Sequence, residues 1–423
     1  MKKIALWGYG DYGRGLLSRI RTYRADEFEV VMIFDRQYRK ITEETGIEIY
    51  DPDRIAEYYR RGMFDSAAVG IFDAKTATAL SAVLKEAGIP EEKIVFSAPF
   101  ADLETFTGLP VPWLKEQIPR YRCRVLSEMY LERVSFLPSG FIFSEDGKVL
   151  KDHFREYVRR QERYVREYIP DINKPVVSLP GEWCFLAELY SSNYAHFTYE
   201  ILDRIYVLEE AGYTGKYILP HTAFAESLLG LFFDLKDRVV WADDLSADML
   251  YRFEKLVCIF ADDTSGSAGV LLKAVRTKLR LPETDREYPG KIYVKRIGRR
   301  KLLVSDSFFE KKGFTVIVPE ELPVEDQIRY FMHADIVISP HGANCANSLY
   351  MREHSVLIET FPMNYVNCFW LQTLKKGSVY YLPCVESDEG IAYDPADKHR
   401  DYHVQEDLLE MMIGQAEILV SEG

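Results

Sequence analysis

Three groups of residues in this chain have the types and spacing for chemistry. In the first, the apolar segment Ala334-Asp335-Ile336-Val337-Ile338-Ser339 runs into Pro340-His341-Gly342-Ala343-Asn344, with the basic run Lys295-Arg296-Ile297-Gly298-Arg299-Arg300 upstream. A strand that opens through glycine into a helix leaves backbone N–H groups unpaired at the helix start, where phosphate binds, and nearby arginines add charge and bidentate donors. The combination points to a nucleoside-diphosphate site, although Pro-His-Gly alone also fits an ordinary turn. Downstream, Ser355-Val356-Leu357-Ile358 ends on Glu359.

The second group is Asn193-Tyr194-Ala195-His196-Phe197-Thr198-Tyr199-Glu200, which reads as a helix start with Asn193 as its N-cap. Four residues apart, His196 and Glu200 share a helix face. Such a pair suits removal of a hydroxyl proton, with one group taking the proton and the other orienting it. The same spacing fits a surface ion pair or a satisfied core histidine. The third group is Gly8-Tyr9-Gly10-Asp11-Tyr12-Gly13, between a strand and a helix, with Asp35 ending the next strand about 20 residues on. This is a dinucleotide fingerprint: Gly8, Gly10 and Gly13 permit close phosphate approach and Asp35 is placed for a ribose hydroxyl. NAD or another nucleotide is the ligand it would take, and an NAD-dependent oxidoreductase is the function class it raises. Glycine turns of this kind also occur in domains that bind nothing.

Alternating apolar strands and amphipathic helices must position these groups. Strands over 3–6, 29–34, 66–70 and 93–96 interleave with helices over 13–23, 52–61 and 74–87, which predicts a parallel sheet with helices on both faces. Periodicity fades between Thr105 and Tyr130, where Pro and Arg accumulate, and this stretch reads as a linker. The segment 134–150 alternates around Glu145-Asp146-Gly147, a hairpin turn. A helix over 153–168 mixes arginines and glutamates, as a solvated face does. Two further strand–helix series start at Pro175 and Lys291, and 405–420 reads as a closing helix. The expected class is α/β: an N-terminal Rossmann-like domain, residues 1–104, then two Rossmann-like lobes over 105–285 and 286–423 with ligands at the carboxyl ends of their strands.

A chain of 423 residues exceeds one ordinary core, in keeping with several domains. At 47% hydrophobic and 28% charged residues it is a globular, soluble composition, and a net charge of -13 argues against nucleic-acid binding. The six cysteines, at 123, 184, 258, 345, 368 and 384, form no CxxC pair, so neither a zinc module nor a disulfide scaffold is indicated. Asp243-Asp244 and Asp262-Asp263 read as turns or helix caps rather than metal ligands. The N-terminal apolar run is too short for a signal peptide and no stretch reaches about 18 apolar residues, so a cytosolic protein is expected.

Taken in order, Asn193-x-x-His196 with Glu200, Tyr293-Val294-Lys295-Arg296 with Arg299-Arg300, Gln327, Ala334, Pro340-His341-Gly342-Ala343 and Ile358-Glu359 resemble glycosyltransferase family 61. The resemblance covers roughly Val176 to Pro383 and leaves the first domain outside it. It implies a two-lobed GT-B fold, a nucleotide-sugar donor (commonly a UDP-sugar), inversion at the anomeric carbon and no required metal or other cofactor. The acceptor would be a glycan or lipid-linked saccharide, with surface-polysaccharide synthesis as the setting; peripheral association with the inner face of the membrane and a homo-oligomer stay open. A non-catalytic sugar-nucleotide sensor is a further alternative. In this reading His196 is the base and Glu200 orients it or replaces it. The diphosphate falls to Arg296, Arg300 and the backbone of Gly342, Ala343 and Asn344, while His341 donates to a phosphate oxygen or fixes the loop. Glu359 either accepts from the ribose hydroxyls or is a structural carboxylate. Where family members carry Ser or Thr before the arginine this chain has Lys295, and where they carry Asn-Glu after the basic run it has Ser305-Asp306.

Overall fold

The computed structural model describes all residues except 11–12, 15, 18–19, 22–24, 40–45, 72–73, 96–102, 105–108, 111–120, 135–136, 146, 148, 151–170, 172, 189, 236, 262–263 and 387–398. The helix expected over 153–168 and the Asp262-Asp263 pair lie outside the described residues. The protein is mixed α/β and divides into two compact units, one of residues 1–109, 125–183 and 245–257, the other of 110–124, 184–244 and 258–423.

In the first unit five parallel strands lie in the order Ile49–Tyr50, Phe28–Phe34, Lys2–Trp7, Ser66–Val69, Ile94–Val95. Ala5 and Trp7 pack on one side with Phe34, Ile55, Tyr58 and Leu84, whereas Ile4 and Leu6 pack on the other with Leu16, Leu17 and Ile20. Burial of both faces explains why these strands read as continuous apolar runs. At the carboxyl end of the first strand, a Cβ on Gly13 would lie 2.0 Å from the Gly8 carbonyl oxygen, and Gly8 itself has φ +100°. Only glycine permits that approach of helix to strand. The Asp35 carboxylate accepts the Tyr9 N–H at 2.8 Å and the Gln37 N–H at 2.7 Å, so it holds the glycine turn through the backbone.

Part of the stretch read as a linker is strand. Residues Tyr121–Val134 run antiparallel to Leu137–Phe143, with Leu131 opposite Ile142. Leu126, Met129 and Leu131 are buried, and Glu128 between them has φ 58°. That left-handed residue shifts the inward positions by one, which destroys the period-two pattern by which a strand is recognised. The hairpin turn falls where the alternation placed it: the Gly147 N–H donates to Ser144 O at 2.9 Å and Val149 pairs with Phe143.

In the second unit another all-parallel sheet has the order Thr315–Ile317, Lys291–Val294, Ile336–Pro340, Val356–Phe361, Tyr380–Val385. Its central strand, Ile336–Pro340, and the neighbouring Val356–Phe361 are buried at every position. Ile336, Ile338, Val356 and Ile358 pack in one core with Leu409, Met412, Ile413 and Ala416 of the C-terminal helix Glu406–Glu422. Alternation along the strands turns Ser339 and Glu359 away from that core. The same unit holds the parallel pair Lys216–Leu219 and Val239–Trp241, and the helical run 194–210. Among the described residues, no helix is long and apolar enough to cross a membrane.

Candidate active site

The helix carrying His196 starts where its sequence says it should. Asn193 has extended backbone, and its Oδ1 accepts the N–H groups of Ala195 at 3.0 Å and His196 at 3.4 Å, which satisfies two donors a helix start leaves open. Residues Phe197–Leu202 then form a π-helical turn before regular helix resumes at Asp203. Such turns recur at functional sites. His196 Nδ1 lies 2.9 Å from Glu200 Oε1. A carboxylate only accepts, so Nδ1 carries the proton and Nε2 is the ring's open nitrogen. Tyr190 stacks on the imidazole at 5.0 Å. Behind it Arg204, buried, grips Glu188 through both terminal nitrogens at 2.6 and 2.9 Å and also donates to the Glu200 carbonyl. Burial opposes the charge on Arg204, but the carboxylate of Glu188 outweighs it and holds the guanidinium firmly protonated.

His341 leaves the strand Ile336–Pro340 and precedes the short 3-10 segment Ala343–Tyr350. Its Nδ1 lies 2.6 Å from Glu359 Oε1, and the Tyr381 hydroxyl donates to Glu359 Oε2 at 2.6 Å. The strand bearing Glu359 does not stop there but continues to Phe361. Glu359 is therefore mid-strand and fully buried, with both oxygens occupied by protein groups.

Arg296 and Arg300 lie close enough to repel each other, and each contacts a residue at or beside His341. Arg296 Nη1 donates to the His341 carbonyl at 2.6 Å, and a Cβ on Gly342 would sit 1.5 Å from that nitrogen. With φ at 170° the Gly342 backbone suits any residue, so what glycine supplies here is room for the guanidinium, which a Cβ would displace from its place beside the loop. Burial and the neighbouring Arg300 push the Arg296 pKa down. Arg300, at φ 59°, stacks its guanidinium 5.0 Å from the Tyr365 ring centre, and Tyr365 in turn meets the His341 ring edge-on at 5.4 Å. Its Nε–H is buried without a hydrogen-bond partner, and among the described residues no carboxylate forms a salt bridge with either arginine. Two adjacent guanidiniums without a paired anion make a place where an anion gains most.

The structure joins the two histidine elements. The helix start at Tyr194–His196 packs on the 343–350 segment, where the Tyr194 hydroxyl donates to Asn347 Oδ1 at 2.5 Å and Asn347 Nδ2 donates to Gln327 Oε1 at 3.4 Å. Asn344 turns its amide to Glu320 at 3.0 Å. Lys295 and Asp306 pair with each other at 2.6 Å. Asp243 accepts the His221 N–H at 3.1 Å, as a turn residue does. Gly8, Gly10, Gly13 and Asp35 belong to the first unit. Tyr190, Tyr365, Asn347 and Tyr381 carry no sequence motif. Their roles come from which strand ends and helix faces meet.

Residues 194–358 match the model of the family Glycosyltransferase 61. The matched segment begins at the tyrosine that ties the His196 helix to Asn347 and ends one residue before Glu359. It contains His196, Glu200, Arg296, Arg300 and His341, and the family supports glycosyltransferase activity. No curated protein matches the chain.

Proposed function

We propose that this protein is an inverting glycosyltransferase that moves a sugar from a nucleotide-sugar donor, in the first instance a UDP-sugar, to a hydroxyl of a glycan or lipid-linked saccharide. The observation that carries the reading is the coincidence of the family match with a cluster of unpaired guanidiniums beside the His341 loop. A GT-B arrangement, with lobes over 105–285 and 286–423 and an added Rossmann-like domain over 1–104, is part of the proposal.

In this mechanism the acceptor oxygen attacks the anomeric carbon as the nucleoside diphosphate leaves from the opposite face. His196 Nε2 takes the acceptor proton, with Nδ1–H held by Glu200. Negative charge growing on the diphosphate meets Arg296, Arg300 and the N–H groups following Gly342, which are already in place and need no reorganisation. Arginines here do the neutralising that a divalent ion does elsewhere, so transfer is expected without added metal, and a requirement for manganese would count against the assignment.

Donor binding is the direct test. Arg296→Ala should weaken UDP-sugar binding by about 2 to 4 kcal/mol. A thermal-shift panel should show stabilisation by UDP, about 2.7 kcal/mol at 100 times the dissociation constant. The rival reading, an NAD-dependent oxidoreductase working through Gly8, Gly10, Gly13 and Asp35, is favoured instead if NAD stabilises the protein and UDP does not.

A further inference from the structure

Glu359 is a carboxylate inside a strand buried on both sides, and such a charge persists only if its oxygens are satisfied. One oxygen faces His341. The other receives the hydroxyl of Tyr381, on the neighbouring strand Tyr380–Val385, where the register sets Leu357 beside Tyr381 and Glu359 beside Pro383. Leu357 and Glu359 share a face, which brings the Tyr381 hydroxyl diagonally onto Glu359. We propose that Tyr381 is a positioning residue for His341 that acts through Glu359, fixing the carboxylate so that it accepts a hydrogen bond from Nδ1–H and leaves Nε2 as the ring's open nitrogen.

A carboxylate held at one oxygen cannot rotate about its terminal torsion, which otherwise has two broad wells. With Oε2 fixed, Oε1 stays 2.6 Å from Nδ1. Stacking on Phe361 at 5.2 Å and the edge of Tyr365 at 5.4 Å block rotation of the imidazole. Burial and the charge of Glu359 push the ionisation of Tyr381 far up, so its hydroxyl stays a donor. Arg296 meanwhile holds the His341 carbonyl. Backbone, ring plane and tautomer of His341 are thus each set by a different neighbour, and the tautomer depends on Tyr381. The inference rests on reading His341 as a donor-side group, but its first test does not.

That test is the tautomer itself, read from the 15N shifts of the His341 imidazole in histidine-labelled protein and assigned by its loss in His341→Asn. The expected result is protonation on Nδ1 in the wild type and a mixture in Tyr381→Phe. An unchanged tautomer in Tyr381→Phe overturns the proposal, as does wild-type His341 protonated on Nε2 alone, which needs no variant to fold. The second test is a double-mutant cycle on donor hydrolysis or transfer. Tyr381→Phe should lower kcat/KM about tenfold in the native background and not at all in Glu359→Gln. Equal losses in both backgrounds would mean that Tyr381 does not act through Glu359. Wild-type protein that neither transfers from nor hydrolyses any nucleotide sugar would end the functional reading, and the tautomer result would still decide this one.

Discussion

His196–Glu200 and His341–Glu359 are the same chemical pair built in two ways. The first lies within one helix, four residues apart, with side chains 39% and 33% exposed. The second joins the loop after one parallel strand to the middle of the next, at 8% and 0% exposure. Water screens the first, so holding it together adds little to stability and leaves Nε2 open to a substrate hydroxyl. The second sits where charge is costly unless matched, and its worth lies in fixed orientation. The exposed pair is suited to exchanging a proton with a substrate, the buried one to holding a ring in place.

The sharpest way to break this contrast is Glu359→Leu, which strands the His341 Nδ1–H and the Tyr381 hydroxyl in a dry interior. Urea unfolding should show a loss of about 3 to 5 kcal/mol, and a loss below about 1 kcal/mol would mean that the buried pair is no more structural than the exposed one. His196→Ala should behave oppositely, cutting turnover by about 10² to 10⁴ while UDP affinity and the unfolding midpoint barely move. Near-normal turnover would shift the base to Glu200. The smallest effect is expected at Lys295–Asp306, a half-exposed pair at 2.6 Å. Lys295→Ala should change stability by about 0 to 1 kcal/mol, and a larger loss would show that this pair supports the basic loop.

What could be read in advance follows the same division. The His196–Glu200 pair, its Asn193 cap and the Gly8–Gly13 turn were legible because each is set by residues within one helical turn or one loop. Strands 291–294 and 216–219 were legible because apolar runs of that length have few alternatives. The strand 121–134 was not, since one left-handed residue at Glu128 erases its alternation. Glu359 looked like a strand end because a glutamate inside a buried strand contradicts every local preference, and only its partners on two other segments make it tolerable.

The sequence by itself determined the alternation of strands and helices, the helix carrying His196, and the presence of a basic run, Arg296 to Arg300, and of a glycine after His341. Tertiary structure alone decided that the Arg296 guanidinium fills the space beside Gly342, that Glu359 pairs with His341, and that the Tyr381 hydroxyl donates to Glu359. The reason is range: propensity and capping act over a few residues, whereas parallel strands place side by side groups that lie far apart along the chain, where burial makes their pairing obligatory.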